Sequence, residues 1–170
     1  MPIDGILQPE QISISDRLRL RKYDGVVDFA LGWYQERETL LLVDGADRPY
    51  DMARLRHMYA YLDAHGELYF IECKINNVFV PIGDVTLCRA DMPIVIGDAR
   101  FRGCGIGSQV VRALIRRGQA LGFAELQVSE IYDYNVGSRK LFTNSGFVPF
   151  ASTEKGHRYR LTLSKNSGKI

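Results

Sequence analysis

Ile94-Val-Ile-Gly-Asp-Ala-Arg-Phe-Arg-Gly-Cys-Gly-Ile-Gly-Ser108 runs from an apolar β-like stretch through a glycine-rich turn into a segment with helical periodicity. Gly103, Gly105 and Gly107 have no Cβ, so the backbone there can approach a ligand closely, and the first N–H groups of the helix lack partners within it. Together they make an anion cradle. Arg100 and Arg102 are expected to add charge-assisted hydrogen bonds to phosphate. Two nucleotide loops fit poorly. Gly107-Ser108 has no lysine before the serine, as a Walker A loop needs, and counting from Gly105 gives Gly-Ile-Gly-Ser-Gln-Val rather than Gly-x-Gly-x-x-Gly. A tight strand-to-helix turn with no ligand stays open as the alternative at this point.

The residues on either side place this turn in a fold. Upstream, Glu67 to Lys74 and Val78 to Leu87 read as strands joined by Asn76-Asn77, a strong hairpin signal, and Pro93 to Asp98 is a third β run after a turn at Arg89 to Asp91. Leu18 to Lys22 reads as a first strand. Gly25 to Val43 reads as one or two short helices broken near Gly32, and a longer helix follows Asp51 and stops at Gly66. Downstream, Gly105 to Leu121 is a helix with Arg112 and Arg116 outward. Glu125 to Tyr132 is a strand, Val136 to Asn144 a short helix, and Phe147 to Ala151 with Tyr159 to Leu163 a closing β pair. This order predicts an α/β (α+β) fold, with one mixed, mostly antiparallel central sheet of about six or seven strands flanked by helices.

A chain of 170 residues with 46% apolar and 25% charged residues is one domain with one core, and needs neither metal nor disulfide as a staple. Cys73, Cys88 and Cys104 have no C-x-x-C spacing, and Met1 to Gln11 lacks the pattern of a secretory signal, so a cytoplasmic protein is expected. No apolar stretch is long enough to cross a membrane. His57, His65 and His157 show no metal-like spacing, and no metal is expected. The net charge of +2 gives no reason to expect nucleic acid or membrane as a partner, but it hides an asymmetry. Met1 to Asp98 holds 10 basic and 16 acidic residues, a net of −6, whereas Ala99 to Ile170 holds 12 and 4, a net of +8. The second part is expected to bind a polyanion, while the first offers carboxylates to a cationic ligand.

At this point the chain resembles the GCN5-related N-acetyltransferase superfamily. Its motif Arg/Gln-x-x-Gly-x-Gly/Ala is met by Arg102, Gly105 and Gly107, and its second signature by Asn135-Val-Gly-Ser-Arg-Lys-Leu-Phe-Thr-Asn-Ser-Gly146-Phe147. The match is strong from about Pro93 to Phe150. Upstream, Leu18-Arg-Leu-Arg and the helix with Trp33 look like the subgroup with ribosomal-protein and aminoglycoside acetyltransferases. The resemblance implies acetyl-CoA as co-substrate, an acceptor-side part at about 14–92 and an acetyl-CoA-binding part at about 93–150. It further implies that Arg102, Gly103, Cys104, Gly105, Ile106, Gly107 and Ser108 hold the pyrophosphate. Ile96, Gly97 and Asp98 would end a strand that splays from the next and pairs with the pantetheine arm. Asn135 would bond near the thioester, with Ser138 and Arg139 alongside. Dimers are common among such proteins, so a homodimer is an expectation of the same kind.

Acetyl transfer to an amine needs a deprotonated nucleophile, a donor for the oxyanion and a proton for the departing thiolate. An amine with a pKa near ~10.4 needs a base at neutral pH. By the resemblance, Glu130 holds the position of a functional carboxylate and Asp91 is the second candidate. One departure matters: the general-acid tyrosine of the family falls on Phe142, which has no proton to give. Tyr132 or Tyr134 replaces it, or water does, or the protein binds acetyl-CoA without efficient turnover. Covalent catalysis by Cys104 is disfavoured, since no His lies near it in sequence. Glu36, Glu38, Asp44, Asp47 and Asp51 are expected either to ring an acceptor cleft or to serve as caps and solvated faces. The acceptor is then a small cationic amine, an aminoglycoside-like molecule or a protein N-terminus, and the rival from another class is a non-catalytic acyl-CoA-binding module.

Overall fold

Asn76 and Asn77, at φ of +49° and +63°, form a turn with the hand that strand twist favours, folding β3 (Glu67–Ile75) onto β4 (Val78–Leu87). The computed structural model describes residues 3–164. Around this hairpin the chain lays β2 (Leu18–Lys22) and β1 (Gln11–Ser15) on one side and β5 (Ile94–Ile96) on the other, an antiparallel five-stranded sheet in the order β1-β2-β3-β4-β5. A second antiparallel sheet of three strands, in the order β6-β8-β7, is built from β6 (Glu125–Tyr132), β7 (Val148–Ser152) and β8 (Gly156–Thr162). The α+β class is as expected. The strands, however, number eight among the described residues and divide into two sheets, because no ladder joins β5 to β6. β1 escapes a pattern reading because only Ile12 and Ile14 carry its apolar alternation.

A 3₁₀ helix over Asp28–Gln35 leads into α1 (Arg37–Val43). The break between them falls at Glu36, which is extended at φ −77° and ψ 125°, and not at Gly32, through which the 3₁₀ helix continues. α2 (Met52–His65) starts where the Asp51 carboxylate accepts from the Arg54 amide at 2.7 Å and ends at Gly66. α3 (Ile106–Ala120) turns Arg112 and Arg116 to solvent, and α4 (Val136–Asn144) is capped by Asn135.

Successive residues of β3 face opposite sides of the sheet, and both sides are buried. Tyr69 and Ile71 join a cluster with Ile82, Val110, Leu114 and Leu126 under α3, while Leu68 and Phe70 join Tyr34, Leu40, Leu55 and Tyr59 under the 3₁₀ helix, α1 and α2. The expected single core is therefore two clusters divided by the sheet. Burial of each face at about 25 cal/mol per Å² of apolar area holds the helices in place. Among the described residues no helix is long and apolar enough to cross a membrane, and no group of three His, Cys, Asp or Glu residues could hold a metal ion.

Candidate active site

β5 and β6 are each the last strand of their sheet, and between them opens a cleft of about 820 Å³. At one end the side chain of Asp91 pins the two arms together: its Oδ1 accepts from its neighbour's amide, Met92, at 3.0 Å and from the Ser129 amide of β6 at 2.9 Å. Beyond this pin the inner edge of β5 has no partner strand among the described residues. Unpaired N–H and C=O groups facing a cleft are a template for an extended ligand.

The glycine turn closes the other end. Gly103 and Gly105 stand at φ of +68° and +78°, a region that glycine adopts without the strain a Cβ brings, and a Cβ at either would meet nothing within 4 Å. Gly103, Gly105, Ile106, Gly107 and Ser108 all line the cleft, so the first turn of α3 presents its unpartnered N–H groups to it. These features fit a pyrophosphate and a pantetheine arm, which need backbone donors and room for close approach.

Several expected ligands lie elsewhere. Gly97 is outside the cleft wall, and its missing side chain makes room for Trp33, whose ring a Cβ would meet at 2.2 Å. Asp98 caps a 3₁₀ turn over Ala99–Phe101 and binds the Arg100 guanidinium at 2.7 Å, which holds its carboxyl below the usual carboxylate range. Cys104 is exposed, with its Sγ 3.4 Å from the Arg102 carbonyl, and Arg139 turns away to the Asp133 carbonyl at 3.0 Å. Ile96, Asn135 and Ser138 do line the cleft. The Asn135 Oδ1 is taken by the Ser138 amide at 3.1 Å, which leaves its NH₂ as the group available to a ligand. Lys140 stands where Arg139 was expected. Gly137, Lys140, Leu141 and Asn144 line the cleft together, the three-to-four spacing of one helix face, and that spacing was the signal for it in the sequence. Thr39, Leu42 and Val43 of α1 likewise form a wall that no motif announced.

Arg102 lines the cleft, but its guanidinium is turned onto α1, away from the role of phosphate ligand. It donates to Glu36 at 3.0 Å, to the Thr39 hydroxyl at 2.8 Å and to the Ile96 carbonyl at 2.9 Å, with Glu38 at 3.5 Å. The Arg102 bond also holds the Glu36 carboxyl below its ordinary value. Arg102→Gln is therefore expected to leave acetyl-CoA affinity within about threefold of wild type, as phosphate contacts are not lost. It should lower stability by roughly 1–2 kcal/mol, or about 2–8 °C in Tm. Calorimetry and thermal unfolding check both, and a tenfold loss of affinity would return the guanidinium to the phosphate.

The other acids of the expected acceptor ring are also engaged. Asp44 pairs with Arg54 at 3.1 Å, Asp47 with Arg37 at 3.7 Å, and Asp51 caps α2. Among the described residues Glu130 has no such partner. Between Val128 and Ile131 the β6–β8 register slips by one residue, a bulge of the kind that re-aims side chains beside active sites, and Glu130 stands exposed there in the cleft wall. Tyr132 lines the cleft two residues on, and its hydroxyl is pushed up from its ordinary value by burial and then by the Glu130 charge. Tyr134 stacks on Tyr132 with ring centroids 5.3 Å apart, and its hydroxyl donates to the Leu41 carbonyl of α1. Phe142 is buried against Phe147, edge to face at 5.1 Å.

The geometry has close parallels among solved structures. A spermidine N-acetyltransferase from Vibrio cholerae, in complex with CoA and spermine, aligns with a TM-score of 0.68 at 18% identity over 89% of this chain and 98% of that one. An acetyltransferase from Salmonella typhimurium that modifies the N-terminal serine of ribosomal protein L7/L12 aligns at 0.65 and 20% identity, over 91% and 100%. An aminoglycoside acetyltransferase in complex with coenzyme A aligns at 0.68 and 16% identity, over 85% and 94%. These likenesses are of fold. No sequence among the curated proteins matches the chain. Residues 32–147, more than half of the chain, match the sequence model of the acetyltransferase (GNAT) family, and the chain belongs to that family.

Proposed function

We propose that this acetyl-CoA-dependent N-acetyltransferase works by direct attack of an amine on the thioester, with Glu130 as the base. The observation that carries this reading is Glu130 itself, exposed at a bulge, without an ion pair among the described residues, in the cleft that the open edge of β5 also lines. The thioester lies along β5, its pyrophosphate on the first turn of α3. The amine gives its proton to Glu130, directly or through water, and its nitrogen bonds to the acetyl carbon. Asn135 donates toward the oxygen as it becomes an oxyanion, the C–S bond breaks, and the thiolate takes a proton. Asp91 is the weaker candidate for the base, because one of its oxygens already serves two backbone amides.

Tyr132 is the proton donor to the thiolate. Its raised pKa keeps the phenol protonated at neutral pH, and it lies in the cleft, whereas Tyr134 is tied to α1. Tyr132→Phe is expected to lower kcat by about 10-fold or more with acetyl-CoA affinity unchanged; unaltered single-turnover rates would assign the proton to water. A second reading, a module that binds acetyl-CoA without efficient turnover, is favoured by the burial of Phe142 at the place where the family carries its acid.

For the acceptor, the pairing of Glu36, Glu38, Asp44 and Asp47 with arginines favours a substrate with one reactive amine, such as a peptide N-terminus or a small monoamine, over a polycation. The test is calorimetric titration with acetyl-CoA, ATP and NAD, followed by thiol release against spermidine, an aminoglycoside and short peptides with free N-termini. Acetyl-CoA binding with thiol release supports transfer, binding without release supports the module, and no binding of acetyl-CoA discards both.

A further inference from the structure

Asp84 on β4 is buried, and its Oδ2 accepts from the hydroxyls of Tyr34 and Tyr59, each at 2.8 Å. Tyr34 belongs to the 3₁₀ helix, Tyr59 to α2, and the strand partner of Asp84 on β5 is Val95, which lines the cleft. Tyr50 packs on Tyr34 with ring centroids 5.1 Å apart, and Phe70 is the partner of Asp84 on β3. Tyr50 in turn donates to Asp44 at 3.2 Å, and Asp44 is paired with Arg54. Among the described residues the two hydroxyls are the only groups that favour the ionised carboxylate, and no arginine, lysine or histidine offsets its burial. A buried charge without a cation weakens the packing around it.

What that packing holds is the roof of the cleft. α1 packs mainly on the 3₁₀ helix and is tied down at two further points, by Arg102 to Glu36 and by Tyr134 to the Leu41 carbonyl. Thr39, Leu42 and Val43 of α1 line the same cleft as Val128 to Tyr132 of β6, so an amine that reaches Glu130 enters a cleft that this helix helps to wall. We propose that Asp84 is a positioning residue whose buried, uncompensated carboxylate keeps the 3₁₀ helix, α1 and α2 in readily opened contact with the sheet, so that the acceptor wall yields to the incoming amine. The amine part of the proposal rests on the transferase reading above; the loosening of the wall does not.

The sign follows from proton linkage. Burial raises the Asp84 carboxyl from 3.8 to about 6, so the closed clasp binds the proton more tightly than an opened or unfolded one. Its contribution to stability is complete below pH 3.8 and is lost as pH rises through about 6. As pH rises into the neutral range the carboxylate loses its proton, and the clasp is weaker than with the proton on. Asp84→Asn keeps the shape and removes the charge.

The experiment compares wild type, Asp84→Asn and Tyr34→Phe by thermal unfolding, by amide hydrogen exchange in α1 and the 3₁₀ helix, and by steady-state kinetics. At pH 7.5 Asp84→Asn is expected to melt at least about 4 °C higher than wild type, and at pH 4 to lose most of that advantage. Exchange of the α1 and 3₁₀-helix amides should slow at least tenfold in this variant. With acetyl-CoA affinity unchanged, its kcat/KM for the amine should fall at least fivefold. Tyr34→Phe, which removes one donor from the carboxylate, should be destabilised more at pH 7.5 than at pH 5, and tests the clasp even if Asp84→Asn folds poorly. A variant Asp84→Asn that melts lower than wild type at pH 7.5, exchanges as fast, or turns over amine as well overturns the proposal. Thiol release absent from wild type with every amine defeats the transferase reading and with it the catalytic part, while melting and exchange still decide the loosening.

Discussion

Glu130→Gln is expected to lower kcat by about 10²- to 10⁴-fold, the usual loss when a positioned base is removed, with acetyl-CoA affinity unchanged. The substitution is close to isosteric, and Glu130 is exposed and makes no ion pair among the described residues, so the fold is expected to keep its stability. What is lost is the group that takes the amine proton. A lysine-like amine with a pKa near ~10.4 is almost wholly protonated at neutral pH and a peptide N-terminus near ~7.7–8.0 is mostly so, and without a carboxylate only the free fraction reacts. Raising the pH should therefore restore part of the turnover of the variant, and the rate should climb with pH further into the alkaline range than in wild type. Single-turnover rates measured on acetyl-CoA-loaded protein separate this chemical step from product release. Turnover above a tenth of wild type would remove Glu130 as the base.

Gly105→Leu is expected to weaken acetyl-CoA binding at least about a hundredfold, or about 3 kcal/mol, because the new side chain lies in the cradle itself. Gly105 is the N-cap of α3 at φ +78°, and its missing Cβ faces open space within the cleft wall. The protein has nothing there for the leucine to strike. The left-handed conformation should cost about 1–2 kcal/mol of stability, or about 2–8 °C in Tm, so the variant folds. Calorimetry against acetyl-CoA, with the melting temperature as control, reads the two effects apart. Acetyl-CoA affinity equal to wild type in the folded variant would discard the cradle.

Where a signal is local, the sequence carries it. The Asn76-Asn77 turn, the Asp51 cap with Gly66 as its stop, and the limits of β6 and α4 fall where pattern and turn chemistry put them, since each depends on residues a few places apart. The strand, the glycine turn at Gly103 and Gly105 and the helix after it also fall where that order puts them. Arg102 shows the limit of that reading. The basic second part of the chain, with Arg100 and Arg102 beside the glycine turn, points to an anion, but the partners of Arg102 lie 66 and 63 positions upstream, at Glu36 and Thr39. The acidic ring failed in the same way, because Asp44 and Asp47 meet arginines that only the packing of α1 and α2 brings near. On α4, motif position pointed to Arg139, while the helix face that lines the cleft carries Lys140.

The sequence by itself determined the α+β class and the glycine turn before α3, because periodicity, capping and the absence of a Cβ act over one or two turns of chain, while the family came from the resemblance carried by its two motifs. The tertiary structure alone decided that two antiparallel sheets part between β5 and β6, that Asp91 pins their closed end and that Arg102 braces α1. It alone brought Tyr34, Tyr59 and Asp84 together, from positions 50 and 25 residues apart. Contacts of that span are set by how the faces of the sheet bury their helices, and no local pattern of residues encodes which charge meets which.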